Sequence, residues 1–201
     1  LFMKHNELES LDLSAIHRLK YIEVTDSPMN KGYFRIGKQP ELMILSIEQT
    51  GNLSPVFTLA DYPKLKVFAC WGNPDITEVD PSVCPDLLQL SIDGTSVERL
   101  DVSKNEHLQI LNISDTRITD IDISKNTLLQ EFYCQHESGT VNPDIDITSI
   151  DVSYNPNLIR LSLSGNRLTN VDLSANRYLR YINVGNNQLR NIDLSANVNL
   201  L

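Results

Sequence analysis

The chain is poor in nearly everything that a catalytic centre, a membrane span or a disulfide scaffold requires. Among 201 residues there are three cysteines, four histidines and eight glycines. The cysteines show no CxxC or Cys/His spacing, which argues against a zinc site, and their odd number argues against a disulfide framework. There is no GxSxG, no HExxH and no glycine-rich phosphate loop. No enzymatic activity, cofactor or metal is therefore expected. No apolar run approaches the ~18 residues of a membrane helix, so this segment is not expected to insert into a bilayer. Basic residues are also scarce, with 17 Lys and Arg against 26 Asp and Glu and a net charge of −9. A phosphate backbone is bound by clustered cations, so nucleic acid is not an expected partner.

What the chain has in abundance is self-similarity. LIRLSLSGNRLTNVDLSANRY, from Leu158, aligns with LRYINVGNNQLRNIDLSANVN, from Leu179, at a period of 21. The same frame starts at Leu19, Leu42, Leu65, Leu87, Leu108 and Leu129, and a further start falls at Leu200. Residues 1–18 superpose on Leu161 to Tyr178, so Leu1 stands at the fourth position of a repeat whose start is missing. A single array over 1–201 is expected: a partial repeat 1–18, eight complete repeats, and a partial repeat 200–201. Caps or further domains are expected outside the segment.

Each repeat reads LxxLxLxxNxLxxLDLSxNxx and alternates with period two twice. Leu161 and Leu163 alternate with Ser162 and Ser164, and Val171 and Leu173 with Asp172, which predicts two short strands per turn. One repeat cannot bury its Leu face alone, so the repeats are expected to stack into two parallel ladders joined by tight turns. Asn73, Asn166 and Asn187, with Ser27, Thr50, Thr95 and Thr116 in the same column, supply side chains able to satisfy turn backbone. Asn105, Asn126, Asn155, Asn176 and Asn197 form a second such column. In these residues the chain resembles leucine-rich-repeat proteins, in particular the nested 21-residue bacterial subclass found in exported surface proteins of gut anaerobes. The resemblance implies an α/β-type leucine-rich-repeat right-handed solenoid, mostly parallel β with little helix. It also implies an extracellular or cell-surface location, with a lipid anchor on a missing N-terminal region as one form of attachment. From Leu19 to Ala60 the LDLS signature is lacking, and irregular or partly helical turns are expected there.

Three features invite a chemical reading. Asp12, Asp80, Asp101, Asp122, Asp151, Asp172 and Asp193 share one column, where like charges about 5 Å apart would repel by roughly 1 kcal/mol per pair. They read either as a cation ladder or as acceptors for nearby turn N–H and Ser groups, and the second is favoured because the column belongs to the repeat itself. Asn142, Asp144, Asp146 and Thr148 have the alternate spacing of a calcium loop, but Ile147 and Ser153 stand where its Gly and Glu belong. Cys70 and Cys134 fall on positions that are Leu, Ile or Val in other repeats. They read as small buried hydrophobes, about 14 Å apart at ~4.8 Å per strand.

The remaining candidate is surface. The residues flanking the inward Leu positions of the first strand point outward, on the sheet that lines the concave face in this family. One column holds Tyr21, Ile44, Val67, Gln89, Ile110, Glu131, Arg160 and Tyr181, its neighbour holds Tyr133, and a third holds Glu48, Trp71, Asp93 and Gln135. Trp, Tyr and Arg dominate binding hot spots. The expected ligand-binding residues are Tyr21, Ile44, Val67, Trp71, Ile110, Tyr133, Arg160 and Tyr181. The function expected is a non-catalytic binding module that engages a protein or glycan ligand. The alternative is a rigid spacer or adhesin stalk without a ligand of its own. Eight extra residues within Gln135 to Asp146 read as a loop bulging from the sheet edge.

Overall fold

The computed structural model describes residues 1–201 except 28, 30–32, 52 and 137–145. Nine strands form one continuous parallel sheet: β1 (Phe2–Lys4), β3 (Tyr21–Thr25), β5 (Ile44–Glu48), β7 (Val67–Ala69), β9 (Gln89–Ser91), β10 (Ile110–Asn112), β11 (Glu131–Tyr133), β12 (Arg160–Ser162) and β13 (Tyr181–Asn183). From β3 onward each strand pairs in register with its counterpart one repeat away, so Tyr21 stands opposite Ile44, Ile44 opposite Val67, and Arg160 opposite Tyr181. This is a parallel β-solenoid with almost no helix. The helix among the described residues is a single 3-10 turn at Pro81–Val83.

The alternation decides which side each residue takes. Ile22, Leu45, Phe68, Leu90, Leu111, Phe132 and Leu161 are buried, as are Val24, Ile47, Cys70, Ile92, Ile113, Cys134 and Leu163 two residues later. Each column runs through the stack and forms a continuous core. After every strand of this sheet except β11 the backbone passes through a left-handed residue: His5, Asp26, Gln49, Gly72, Gly94, Asp115, Gly165 and Asn186 all have φ between 46° and 74°. Gly165 is there for a further reason, since a Cβ would fall 2.1 Å from the His136 carbonyl oxygen.

Buried side-chain amides join the turns to their neighbours. Asn73 donates from Nδ2 to the Ile47 and Cys70 carbonyls, and its Oδ1 accepts the N–H groups of Thr50 and Gly51. Asn166 and Asn187 repeat the arrangement. In the second turn Asn126 reaches the Val102 and Asn105 carbonyls, and Asn155, Asn176 and Asn197 reach the equivalent pairs behind them. The Oδ1 atoms of this second column accept no hydrogen bond within the described residues.

The second ladder differs from the expectation. Among the described residues, paired second strands occur in the N-terminal part only: β2 (Leu11–Asp12) with β4 (Phe34–Arg35), and β6 (Val56–Phe57) with β8 (Glu78–Val79). Strands β4 and β6 fall in the segment from Leu19 to Ala60, where irregular or partly helical turns were expected; no helix is described there. Further along, the corresponding stretch makes an inter-repeat bond such as Arg117 N–H to the Val97 carbonyl, then turns. The turn is closed by the aspartate column. The N–H of Ser103, Ser124, Ser153, Ser174 or Ser195 donates to the Asp two residues before it at 2.8–2.9 Å.

Candidate functional site

The same Asp–Ser bonds account for the aspartates without a cation. The carboxyls of Asp101, Asp122, Asp172 and Asp193 are held below the usual range, first by the backbone N–H and then by the side chain of the following Ser. At Asp12 and Asp151 the Ser side chain contributes most. Repulsion from a neighbouring Asp is present at Asp101, Asp151 and Asp172 but is outweighed. Among the described residues no group of three or more His, Cys, Asp and Glu is arranged to hold a metal. The calcium-like stretch falls largely outside the described residues, with Asn142 and Asp144 both beyond them, and so does most of the inserted loop, including Gly139 and Pro143.

The eight expected binding residues all lie on the open side of the long sheet or just after one of its strands. Tyr21, Arg160 and Tyr181 are exposed, while Ile44, Val67, Trp71, Ile110 and Tyr133 are half-buried. They do not form one cluster. Tyr21 and Tyr181 are seven strand steps apart, about 34 Å at ~4.8 Å per step. Two smaller groupings are brought together. Ile44 and Val67 stand opposite one another, with Trp71 at the turn after β7. Tyr133 and Arg160 meet through Glu131: the Tyr133 hydroxyl donates to Glu131 Oε2 at 2.6 Å, and Arg160 Nε lies 3.8 Å from Oε1. Burial, followed by the Glu131 contact, pushes the Tyr133 hydroxyl up to about 12.

Between these groupings the floor of the face is small and polar. Ser46, Ala69, Ser91 and Ser162 are buried there. Ser46 Oγ donates to Glu48 Oε1 at 2.5 Å and Ser91 Oγ to Asp93 Oδ1 at 2.6 Å, which fixes both carboxylates. Burial raises the Asp93 carboxyl, with Asp115 and Glu48 adding to the effect against the Ser91 hydrogen bond. Sequence reasoning placed Glu48 and Asp93 in an outward column without treating them as site residues. Their signal was the Ser two positions earlier on the same strand face. It also missed a groove beside the face, lined in part by Gln109, Gln130, Tyr178 and Arg180, because these residues lie just before the strands, outside the alternating pattern.

With this geometry in view, comparison with known proteins gives a consistent class. A family profile described as Leucine Rich repeat matches residues 104–125 and 154–175. A search of curated protein sequences finds no match. Among solved structures, the functional domain of InlJ from Listeria monocytogenes, which includes a cysteine ladder, superposes with a TM-score of 0.74 at 21% identity, covering 100% of this chain and 47% of that one. An internalin, InlF, from the same organism gives 0.70 at 21% identity, covering 96% and 59%. A leucine-rich-repeat protein of Leptospira interrogans gives 0.64 at 14% identity, covering 97% and 63%. The chain has a leucine-rich-repeat solenoid fold, with leucine-rich repeats matched over those two stretches, and it spans roughly half the length of the first two structures it resembles. In this chain Cys70 and Cys134 share a column but Ile92 and Ile113 separate them, and all three cysteines are free.

Proposed function

We propose that this chain is a non-catalytic binding module of an exported bacterial surface protein, and that the open face of its long sheet engages a protein ligand. The observation that carries the reading is the in-register row from Tyr21 to Tyr181. It sets aromatic, apolar and charged side chains on strands whose backbone is fixed by parallel pairing. Binding then costs little ordering of the scaffold, and the Tyr133–Glu131–Arg160 contacts hold three long side chains in place before a partner arrives. The surface location is supported by the likeness to two Listeria internalin-type structures and one from Leptospira. No helix among the described residues is long and apolar enough to cross a membrane. The negative charge and the absence of a basic stripe favour a protein over nucleic acid on this face.

The test is a binding measurement with the partner recovered by surface cross-linking. Trp71→Ala and Tyr181→Ala should each weaken binding by more than ~1 kcal/mol, as truncation of hot-spot aromatics does. Asp172→Asn, on the opposite turn, should leave it unchanged. A partner indifferent to both aromatic changes would place binding elsewhere and favour the spacer.

A further inference from the structure

A groove of about 700 Å³ runs along the edge where the chain enters the C-terminal strands of the long sheet. Two columns line it. Gln109, Gln130, Ile159 and Arg180 each stand one residue before a strand, and Leu128, Asn157, Tyr178 and Asn199 stand two residues earlier. The first column is rigid because its backbone is paired from repeat to repeat. The Gln109 carbonyl accepts from Gln130 and Glu131 N–H, that of Gln130 from Ile159 and Arg160, and that of Ile159 from Arg180 and Tyr181. The second column is anchored as well, since Asn157 Nδ2 donates to the Thr127 carbonyl at 3.0 Å and Asn199 Nδ2 to the Arg177 carbonyl at 2.9 Å. The side chains of Gln109, Gln130 and Arg180 have no partner among the described residues.

We infer that this groove is a binding site for a neutral oligosaccharide of three or four units. In a chain of net charge −9, no carboxylate lines it. Four carboxamides do, and a carboxamide offers both donor and acceptor to a hydroxyl. Tyr178 is 62% exposed and Leu128 43%, and with Ile159 they give flat apolar surface for the C–H faces of sugar rings. The spacing selects among polymers. Equivalent groups recur once per strand, at ~4.8 Å, close to the advance of one pyranose residue. An extended peptide places same-side residues about 6.7 Å apart and falls out of step. Four successive repeats span about 14 Å, which sets the number of units.

The inference is independent of protein binding on the open face, and one experiment separates them. The whole chain is titrated calorimetrically with cello-, malto- and chito-oligosaccharides of two to six units. One series should bind, tighten up to about four units and then level off. Tyr178→Ala and Gln130→Ala should each weaken it about fivefold or more. Tyr178→Phe, which keeps the ring, should retain most of the affinity, and Trp71→Ala all of it. Tyr178 and Gln130 are exposed, so unchanged melting of each variant confirms an intact fold. The inference is overturned if no series binds with a Kd of about 1 mM or tighter, as a peptide-binding groove would show. Binding that ignores chain length, or that survives both truncations, overturns it equally.

Discussion

At Asp172 the carboxylate accepts the Ser174 N–H at 2.9 Å, and the same contact recurs in every aspartate of its column. It sets the acid sensitivity of the protein. Asp12, Asp101, Asp122, Asp151, Asp172 and Asp193 have carboxyls lowered in the folded state. Their contribution to stability is present in full above the unfolded-state value, about 3.9, and is lost as pH falls through the lowered native values. Asp93 acts in the other direction, because a raised carboxyl makes its ionised form unfavourable in the folded state. Six exposed groups against one lead to a melting temperature that holds from neutral pH to about 5 and falls below about 4. Asp172→Asn keeps an oxygen for Ser174 and should flatten part of the acid limb. A melting temperature unchanged down to pH 2 would contradict the Asp–Ser account.

On the scale of the strand, the inward columns were readable from the sequence because burial repeats them. Leu111 and Leu163 are fully buried. Replacing either by Ala should cost roughly 2 to 5 kcal/mol in denaturant titrations. Gln109 sits one residue before β10 with no side-chain hydrogen bond, so Gln109→Ala should change stability by no more than ~0.5 kcal/mol. Equal losses at Leu111 and Gln109 would mean that the strand register is displaced. The second ladder was less readable, because alternation predicts a strand wherever apolar and polar residues take turns. Asp12 and Ser14 show the same alternation and the same Asp–Ser bond as Asp122 and Ser124, yet the stretch at Asp12 is paired as a strand and the stretch at Asp122 is not, so the pattern alone does not separate them. The left-handed column was hidden for a different reason: Gln49, Asp115 and Gly165 share a backbone conformation but no chemistry.

Across the whole molecule, stability comes from stacked Leu columns and amide-bridged turns. The cysteines take no part through cross-links. Burial pushes the Cys134 thiol up to about 12 and the Cys84 thiol up to about 11, and it raises Cys70 as well. Cys84 occupies the second asparagine column, where its Sγ lies 3.3 Å from the Tyr62 carbonyl oxygen. Neither EDTA nor a reductant should move the melting temperature; a fall of about ten degrees with chelator, equivalent to a few kcal/mol, would restore the cation reading of the aspartates. The repeat architecture was legible from one chain because twenty-odd positions recur eight times. The binding face was legible only as columns, since strand pairing brings Glu131 to Arg160 but leaves Tyr21 far from Tyr181.

The second asparagine column has a direction. Asn126, Asn155, Asn176 and Asn197 all donate to carbonyls of the repeat before their own, and none reaches forward. Each turn is therefore completed by its successor, much as a course of bricks is capped by the one laid above it. Excising or duplicating one whole repeat leaves every amide facing an equivalent pair of oxygens, so the array can change length in units of 21 residues without leaving a mismatched seam. The reach of the binding surface thus becomes a quantity that gene duplication can adjust in steps of one strand, while the chemistry of each step is set by a few outward side chains.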